Sequence, residues 1–137
     1  MHKIIKNLID LNQEVKKKIV ELDTKNYLPQ IIAVSKTFPI SSIKPLIDYG
    51  HTHFGENKVQ EAVEKWSEIK KTNNSINLHM VGKLQTNKVK YVVGLFDYIH
   101  SVDSLKLAKK IADEQTKQNK KLKIFFQINI GDEDQKN

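Results

Sequence analysis

The amino-acid sequence predicts an α/β fold in which about five parallel strands alternate with helices behind a leading N-terminal helix. Three observations support this prediction. Apolar residues recur at helical spacing over residues 3–22. Short apolar runs of strand length then alternate with amphipathic segments of helical length. No internal repeat or low-complexity tract interrupts this alternation. Strands that are joined through helices pair in parallel by right-handed crossovers.

Each predicted element begins or ends at a recognisable signal. Ser41 and Ser42 can cap a short helix that Gly50 ends, and Asn57 with Gln60 forms a capping arrangement for the next helix. The predicted helices are residues 3–22, 41–50, 58–69, 86–95 and a last one from a cap at 101 or 103 to about 118. The predicted strands are residues 30–36, 52–55, 77–81, 97–101 and 123–130, with a polar connector at 23–26 before the first strand.

Two architectures fit this order of elements: an open doubly wound sheet and part of a (β/α)8 barrel. The first turn from strand to helix, residues 35–39, contains no glycine. Dinucleotide and phosphate cradles need glycines so that the backbone can approach phosphate closely. Along the last strand, Phe125, Gln127 and Asn129 alternate with Phe126, Ile128 and Ile130. One polar and one apolar face fit a barrel with a functional interior, so the sequence favours the barrel.

Composition narrows the classes of function. The net charge of +7 comes with 23 lysines and no arginine. Arginine is the usual bidentate reader of guanine and phosphate, so sequence-specific nucleic-acid binding is disfavoured and weak polyanion attraction remains. The chain has no cysteine and no secretory signal or membrane span, which predicts a cytoplasmic protein. His51 and His53 could share a strand face, but spacing ties no further metal ligand to them.

The carboxyl ends of the predicted strands gather polar and small residues at one rim. They carry Lys36, Asn57, Gly82, His100 and Asn129, and chemistry in parallel α/β folds lies at these ends. Lys36 ends an apolar run, so we expect apolar neighbours to lower the pKa of its amine and prepare it for attack on a carbonyl.

Strand alternation places Val34 on the same strand face as Lys36. If Lys36 points into a pocket at the rim, Val34 therefore lies directly beneath it.

Five strings carry a resemblance to a known family. AVSKT stands at residues 33–37, FGEN-x-VQE at 54–61, H-x-VG-x-LQ-x-NK at 79–88, IHSVD at 99–103 and QINIGDE at 127–133. In this order they resemble the pyridoxal-phosphate homeostasis protein family (the PROSC or YggS-like proteins). The resemblance extends from the first helix to the last residue. Lys58 and Lys83 replace residues that are common in the family, and Leu78 replaces a frequent tryptophan.

The resemblance implies a partial barrel like the N-terminal domain of alanine racemase, which binds pyridoxal 5′-phosphate (PLP) as a Schiff base on Lys36. It also implies that Asn57 lies near the cofactor and that Val81 lines the same pocket. Members of the family are regarded as carriers or regulators of the cofactor supply, so no enzymatic reaction is expected. Two alternatives stay open: a PLP-dependent racemase or decarboxylase-like enzyme, and a basic polyanion-binding module.

Length is the main departure from the family. A complete barrel needs about 250 residues, whereas this chain has 137. We therefore expect residues 1–137 to form a single, C-terminally truncated PLP-binding domain. The resemblance implies that the phosphate-binding elements, a serine-methionine segment and an Arg-x-Gly turn, belong to the missing part. The open sheet edges predict a complementing C-terminal chain or self-association.

Overall fold

A computed structural model of the chain describes residues 2–22 and 29–131. The polar connector predicted at 23–26 lies outside these residues. The helices are α1 (Lys3–Glu21), α2 (Ile40–Tyr49), α3 (Val59–Thr72), α4 (Val89–Leu95, preceded by a short 3-10 turn at Thr86–Lys88) and α5 (Leu105–Gln118). The strands are β1 (Ala33–Val34), β2 (His53–Glu56), β3 (Asn77–Met80), β4 (Tyr98–Val102) and β5 (Lys123–Phe126).

The five strands form one parallel sheet in the order β1-β2-β3-β4-β5. Each strand lies beside the next one in the chain, and the order nowhere reverses as it does in a doubly wound sheet. The described residues therefore form an arc of a (β/α)8 barrel, and the prediction of a partial barrel is confirmed.

The hydrophobic core lies between the helices and the convex face of this arc. Alternate strand residues on that face, among them Phe54, Leu78 and Ile99, are fully buried. Trp66 of α3 is buried against Phe54, with ring centroids 4.9 Å apart. The residues between them along each strand lie on the concave face. In a closed barrel that face is the interior.

Both outer strands are shorter than predicted. β1 has two residues instead of seven, although the N–H of Ser35 still donates to the carbonyl of Gly55 (2.9 Å). β5 ends at Phe126 instead of residue 130. The last backbone hydrogen bond between β5 and β4 runs from the N–H of Gln127 to the carbonyl of Val102 (2.7 Å). Each outer strand has a neighbour on one side only within the described residues. Strand β5 ends opposite Val102, the last residue of β4, whereas β1 is shorter than its neighbour β2.

Three of the predicted helix starts are wrong, and one helix end is confirmed. Helix α5 has Ser104 as its N-cap instead of residue 101 or 103, because the hydroxyl of Ser104 accepts from the N–H of Leu107 (3.1 Å). Helix α2 begins at Ile40 after Pro39, so Ser41 and Ser42 lie within its first turn rather than at its cap. Helix α3 has Lys58 as its N-cap, without a side-chain capping bond, instead of Asn57. Gly50 ends α2 as predicted, with the left-handed φ of 107° that glycine adopts at little cost.

No helix in the part of the chain that the structure describes is long and apolar enough to cross a membrane.

Candidate functional site

Lys36 leaves the sheet beside Asn57. The register pairs Val34 of β1 with Gly55 of β2, so the residues two positions further along each strand emerge as neighbours at the carboxyl end. Lys36 is exposed, and its Nζ has no hydrogen-bond or ion-pair partner among residues 2–22 and 29–131. The apolar burial expected from the sequence is therefore not found. The apolar run ends one residue earlier, at the buried Ser35.

The backbone turns sharply just after Lys36. Thr37 has a φ of +67°, a left-handed conformation that is rare for a β-branched residue. The N–H of Phe38 donates to the carbonyl of Ser35 (3.3 Å), and the N–H of Thr37 donates to Oε2 of Glu61 (2.7 Å). This tight turn takes the chain from β1 towards α2 and leaves the amine of Lys36 at the rim.

Asn57 and Gly82 form a close backbone contact at the ends of β2 and β3. A Cβ on Gly82 would lie 2.5 Å from the carbonyl oxygen of Asn57 and 2.6 Å from its Cβ, so only glycine fits. Ser101 holds the same loop by donating from Oγ to the carbonyl of Gly82 (2.6 Å). The Oδ1 atom of Asn57 is buried and has no hydrogen-bond partner among the described residues. A buried acceptor without a donor costs free energy, which suits an atom that receives a bond from a ligand.

Two valines form an apolar floor below this rim. A Cβ on Gly55 would lie 3.6 Å from a methyl group of Val34 and 3.5 Å from one of Val81. Both valines therefore project from the concave face and lean over Gly55. Val34 is 52% exposed and Val81 36% exposed. Exposed aliphatic side chains next to an unsatisfied amide are the mixture found in small-molecule sites.

A row of three histidines crosses the concave face below the valines. Nδ1 of His53 lies 2.9 Å from Nε2 of His79, and Nδ1 of His79 lies 2.9 Å from Nε2 of His100. The ring of His79 stacks on Tyr98 with centroids 4.1 Å apart, and His100 stacks on Phe125 at 4.7 Å. We call His53, His79 and His100 the histidine row. Each of its two hydrogen bonds needs one donor and one acceptor nitrogen, so neutral rings form a chain with a single direction.

The surroundings keep the histidine row neutral. Burial, followed by the neighbouring His100 and His53, lowers the pKa of His79 from 6.5 to about 4, and Asp97 opposes this effect. Burial also lowers the pKa of His53 and that of His100. Burial therefore disfavours a positive charge on each of the three rings.

The structure brings Lys36, Asn57 and Val81, which the resemblance implies, together at one end of the concave face with Val34, which strand alternation predicts. His100 lies within β4 rather than at its end. From the sequence, His53 was considered only beside His51 as a weak metal candidate, and His79 was given no role, although alternation along β2 and β3 places His53 and His79 on the concave face. His51 bonds instead to the carbonyl of His53 (2.9 Å), and within the described residues no cluster of histidine and acidic side chains can hold a metal ion.

Comparison with known proteins gives concordant results. The family model of the alanine racemase N-terminal domain matches residues 11–134. A pyridoxal phosphate homeostasis protein from Pasteurella multocida is 35% identical over 133 residues, which are 97% of this chain and 57% of that protein. The chain thus spans little more than half the length of this relative.

Among solved structures, PipY from Synechococcus elongatus without PLP superposes with a TM-score of 0.73 at 35% identity, over 89% of this chain and 57% of PipY. PipY with PLP bound gives a TM-score of 0.71 at 36% identity, over 86% of this chain and 56% of PipY.

Proposed function

The chain belongs to the alanine racemase N-terminal domain family and, within it, to the pyridoxal phosphate homeostasis proteins, and from that premise we propose that it binds PLP through Lys36 in intracellular PLP homeostasis. The observation that carries this proposal is the exposed amine of Lys36 on the strand end beside Asn57. PipY, which shares the fold, has been solved with PLP bound.

The residues at the rim fit the cofactor. The ring of PLP has two apolar faces and polar groups on its edge, and the floor formed by Val34 and Val81 offers it aliphatic contact. The unpartnered Oδ1 of Asn57 offers an acceptor to a polar group at the edge. Gly82 keeps Asn57 in place because any side chain there would collide with it.

Lys36 has the chemical role in this proposal. When bound, PLP supplies an aldehyde with which a lysine amine forms a Schiff base, and one water molecule is released. The amine has to lose a proton before it reacts. Solvent can accept that proton because Lys36 is exposed. The turn at Thr37 ends the strand directly after Lys36, and the partly exposed valines lie on the concave face below the rim.

We propose that this chain carries the cofactor and does not catalyse a reaction with it. Relatives of this chain are named for homeostasis. The side chains that share the rim with Lys36 are the amide of Asn57 and two valines, none of which is a usual general acid or base. A racemase or decarboxylase-like enzyme would exchange the α-hydrogen of an amino acid. Incubation of the PLP-loaded protein with amino acids in D2O, followed by mass spectrometry, separates the two: no exchange above that of free PLP is expected, and faster exchange would establish the enzyme.

Absorption spectroscopy tests the binding proposal. Adding PLP to the protein should produce the visible band of a Schiff base, and Lys36→Ala should abolish it. Lys44→Ala is the matched control, because Lys44 is an exposed lysine on α2 whose Nζ pairs with Asp48 (3.1 Å) away from the rim. Loss of the band in both variants or in neither would refute the assignment to Lys36.

The sheet edges point to a partner for this domain. Phe126, Ile128 and Ile130 are exposed beside β5, and an apolar cavity of about 690 Å³ lies beside β1 between α1 and α2. Open strands with apolar side chains pair readily with other chains. We propose that residues 1–137 act as one domain whose edges are covered by polypeptide that completes the barrel.

Co-expression with the C-terminal part of a family-length relative tests this partnership. A stable one-to-one complex with stronger PLP binding is expected, whereas a monomer that ignores the partner would refute it. Homodimers measured by light scattering would instead assign the edges to a second copy. The proposed site of action is the cytoplasm, which cell fractionation checks.

A further inference from the structure

A buried cluster of charges lies behind Lys36, on the side of the sheet that faces the helices. Glu56 at the end of β2 is fully buried, and the side chain of Lys65 on α3 is 7% exposed. Nζ of Lys65 lies 3.0 Å from Oε2 of Glu56 and 3.3 Å from Oε2 of Glu61, and it donates to the carbonyl of Ser35 (2.8 Å). One ammonium group therefore joins two carboxylates to the strand that carries Lys36.

Both chain neighbours of Lys36 are held by this cluster. Oγ of Ser35 donates to Oε2 of Glu56 (2.6 Å), and the N–H of Thr37 donates to Oε2 of Glu61 (2.7 Å). Hydrogen bonds to charged groups are shorter and stronger than neutral ones. The backbone on either side of Lys36 is thus anchored to α3, while the amine between the two anchors is left free to react.

The conformation of Thr37 shows why an anchor is needed. Its φ of +67° places a β-branched residue in the left-handed region, which is strained for any residue with a Cβ. Strain of this kind persists only where the surroundings hold it, and it is concentrated at functional sites. Among the described residues, Glu61 is the group that binds the amide of Thr37.

Burying this cluster costs free energy that a purely structural contact would not require. An apolar core of the same shape often gives equal or greater stability than a buried ion pair. The cluster also leaves Oε1 of Glu56 without a hydrogen-bond partner in the described part of the chain. Its benefit therefore lies in the geometry that it imposes.

We propose that Lys65 and Glu61 are positioning residues for Lys36: they hold the 35–37 turn in the strained conformation that directs the amine to the rim where Asn57 and Val81 lie. This inference rests on the proposed binding of PLP by Lys36. Neither residue touches the rim itself, so both act through the backbone of Ser35 and Thr37.

Glu61→Ala is the most informative variant, because Glu61 is partly exposed and its removal leaves the buried Lys65–Glu56 pair intact. Misplacement of a reacting group is costly, and we expect capture of PLP to slow about tenfold. Acylation of Lys36 by a small reagent does not require the amine to be oriented. Its rate, measured without PLP by peptide mass spectrometry, should stay within about twofold of that in the parent chain. Glu68→Ala is the control, because Glu68 lies on the same helix with its side chain 86% exposed.

Hydrogen exchange supplies a readout that does not depend on the cofactor. The amide of Thr37 should be protected in the parent chain and in Glu68→Ala, and should exchange rapidly in Glu61→Ala. Lys65→Arg should retain PLP capture better than Lys65→Met, because arginine preserves the positive charge. Should Lys65→Met fail to fold, Glu61→Ala still decides the matter.

Two results would overturn the inference: PLP capture in Glu61→Ala as fast as in the parent chain, or an amide of Thr37 that is unprotected in the parent chain. Equal loss of PLP capture and of acylation would also overturn it, since that outcome means general disruption of the fold. If the parent chain captures no PLP at Lys36 although the amide of Thr37 is protected, the proposed function fails while the anchored turn stands.

Discussion

Acidification should weaken the fold through His79. In the folded chain, burial and the neighbouring His100 and His53 lower the pKa of His79 from 6.5 to about 4. Between these two values the unfolded chain binds a proton that the folded chain does not, so stability falls as the pH is lowered through this window. Above pH 6.5 both states are neutral and the effect vanishes.

The size of the effect follows from the width of the window. One pKa unit corresponds to about 1.4 kcal/mol, so the interval from 6.5 to about 4 gives at most about 3.5 kcal/mol for His79. His53 and His100 act in the same direction. For a chain of this size, such a loss is a large part of a typical free energy of unfolding.

Urea denaturation between pH 7 and pH 4 measures this dependence. His79→Phe keeps an aromatic ring beside Tyr98 but cannot titrate. Its free energy of unfolding should therefore fall less steeply with decreasing pH than that of the parent chain, regardless of the two values at pH 7. His2→Gln, which changes an exposed histidine outside the row, should follow the parent chain. Equal slopes for His79→Phe and the parent chain would refute the reasoning.

Three substitutions test local features of the structure. Gly82→Ala should lower the free energy of unfolding by about 1 to 3 kcal/mol and displace Asn57, because the new Cβ meets its backbone; chemical denaturation and the amide NMR signals of Asn57 check this. Trp66→Phe removes the 3.0 Å bond from Nε1 to Oε2 of the buried Glu56 and should lower the free energy of unfolding by about 2 kcal/mol. Urea titration measures this loss, and an unchanged free energy would contradict it. Asn119 ends α5 with a left-handed φ of 53°, so thermal melts should show a loss of about 1 kcal/mol for Asn119→Ala and almost none for Asn119→Gly.

The architecture could be predicted because it depends on patterns that survive in a single sequence. The apolar spacing of α1 predicts residues 3–22 and the helix spans Lys3–Glu21. The lack of glycine after β1 correctly disfavoured a nucleotide-binding sheet. The extents of β1 and β5 could not be predicted, because the length of an outer strand depends on backbone pairing with a single neighbour that lies more than 20 residues away in the sequence.

The sequence predicted that the residues of the candidate site meet at one rim of the sheet, but it did not predict their surroundings. Lys36 was expected among apolar neighbours, yet the sharp turn at Thr37 carries it into solvent. Asn57 was interpreted as a helix cap, whereas its side chain lies against Gly82. Strand alternation alone cannot reveal either feature. Both depend on contacts between segments 20 or more residues apart, and the same holds for the histidine row.

Trapping the cofactor on the chain tests the central claim most directly. Borohydride reduction after incubation with PLP fixes a Schiff base permanently, and peptide mapping then locates it among the 23 lysines. We predict close to one modification per chain, on the peptide that contains Lys36. Modification spread over many surface lysines, or concentrated on another lysine, would contradict the claim that the strand end beside Asn57 is the PLP site.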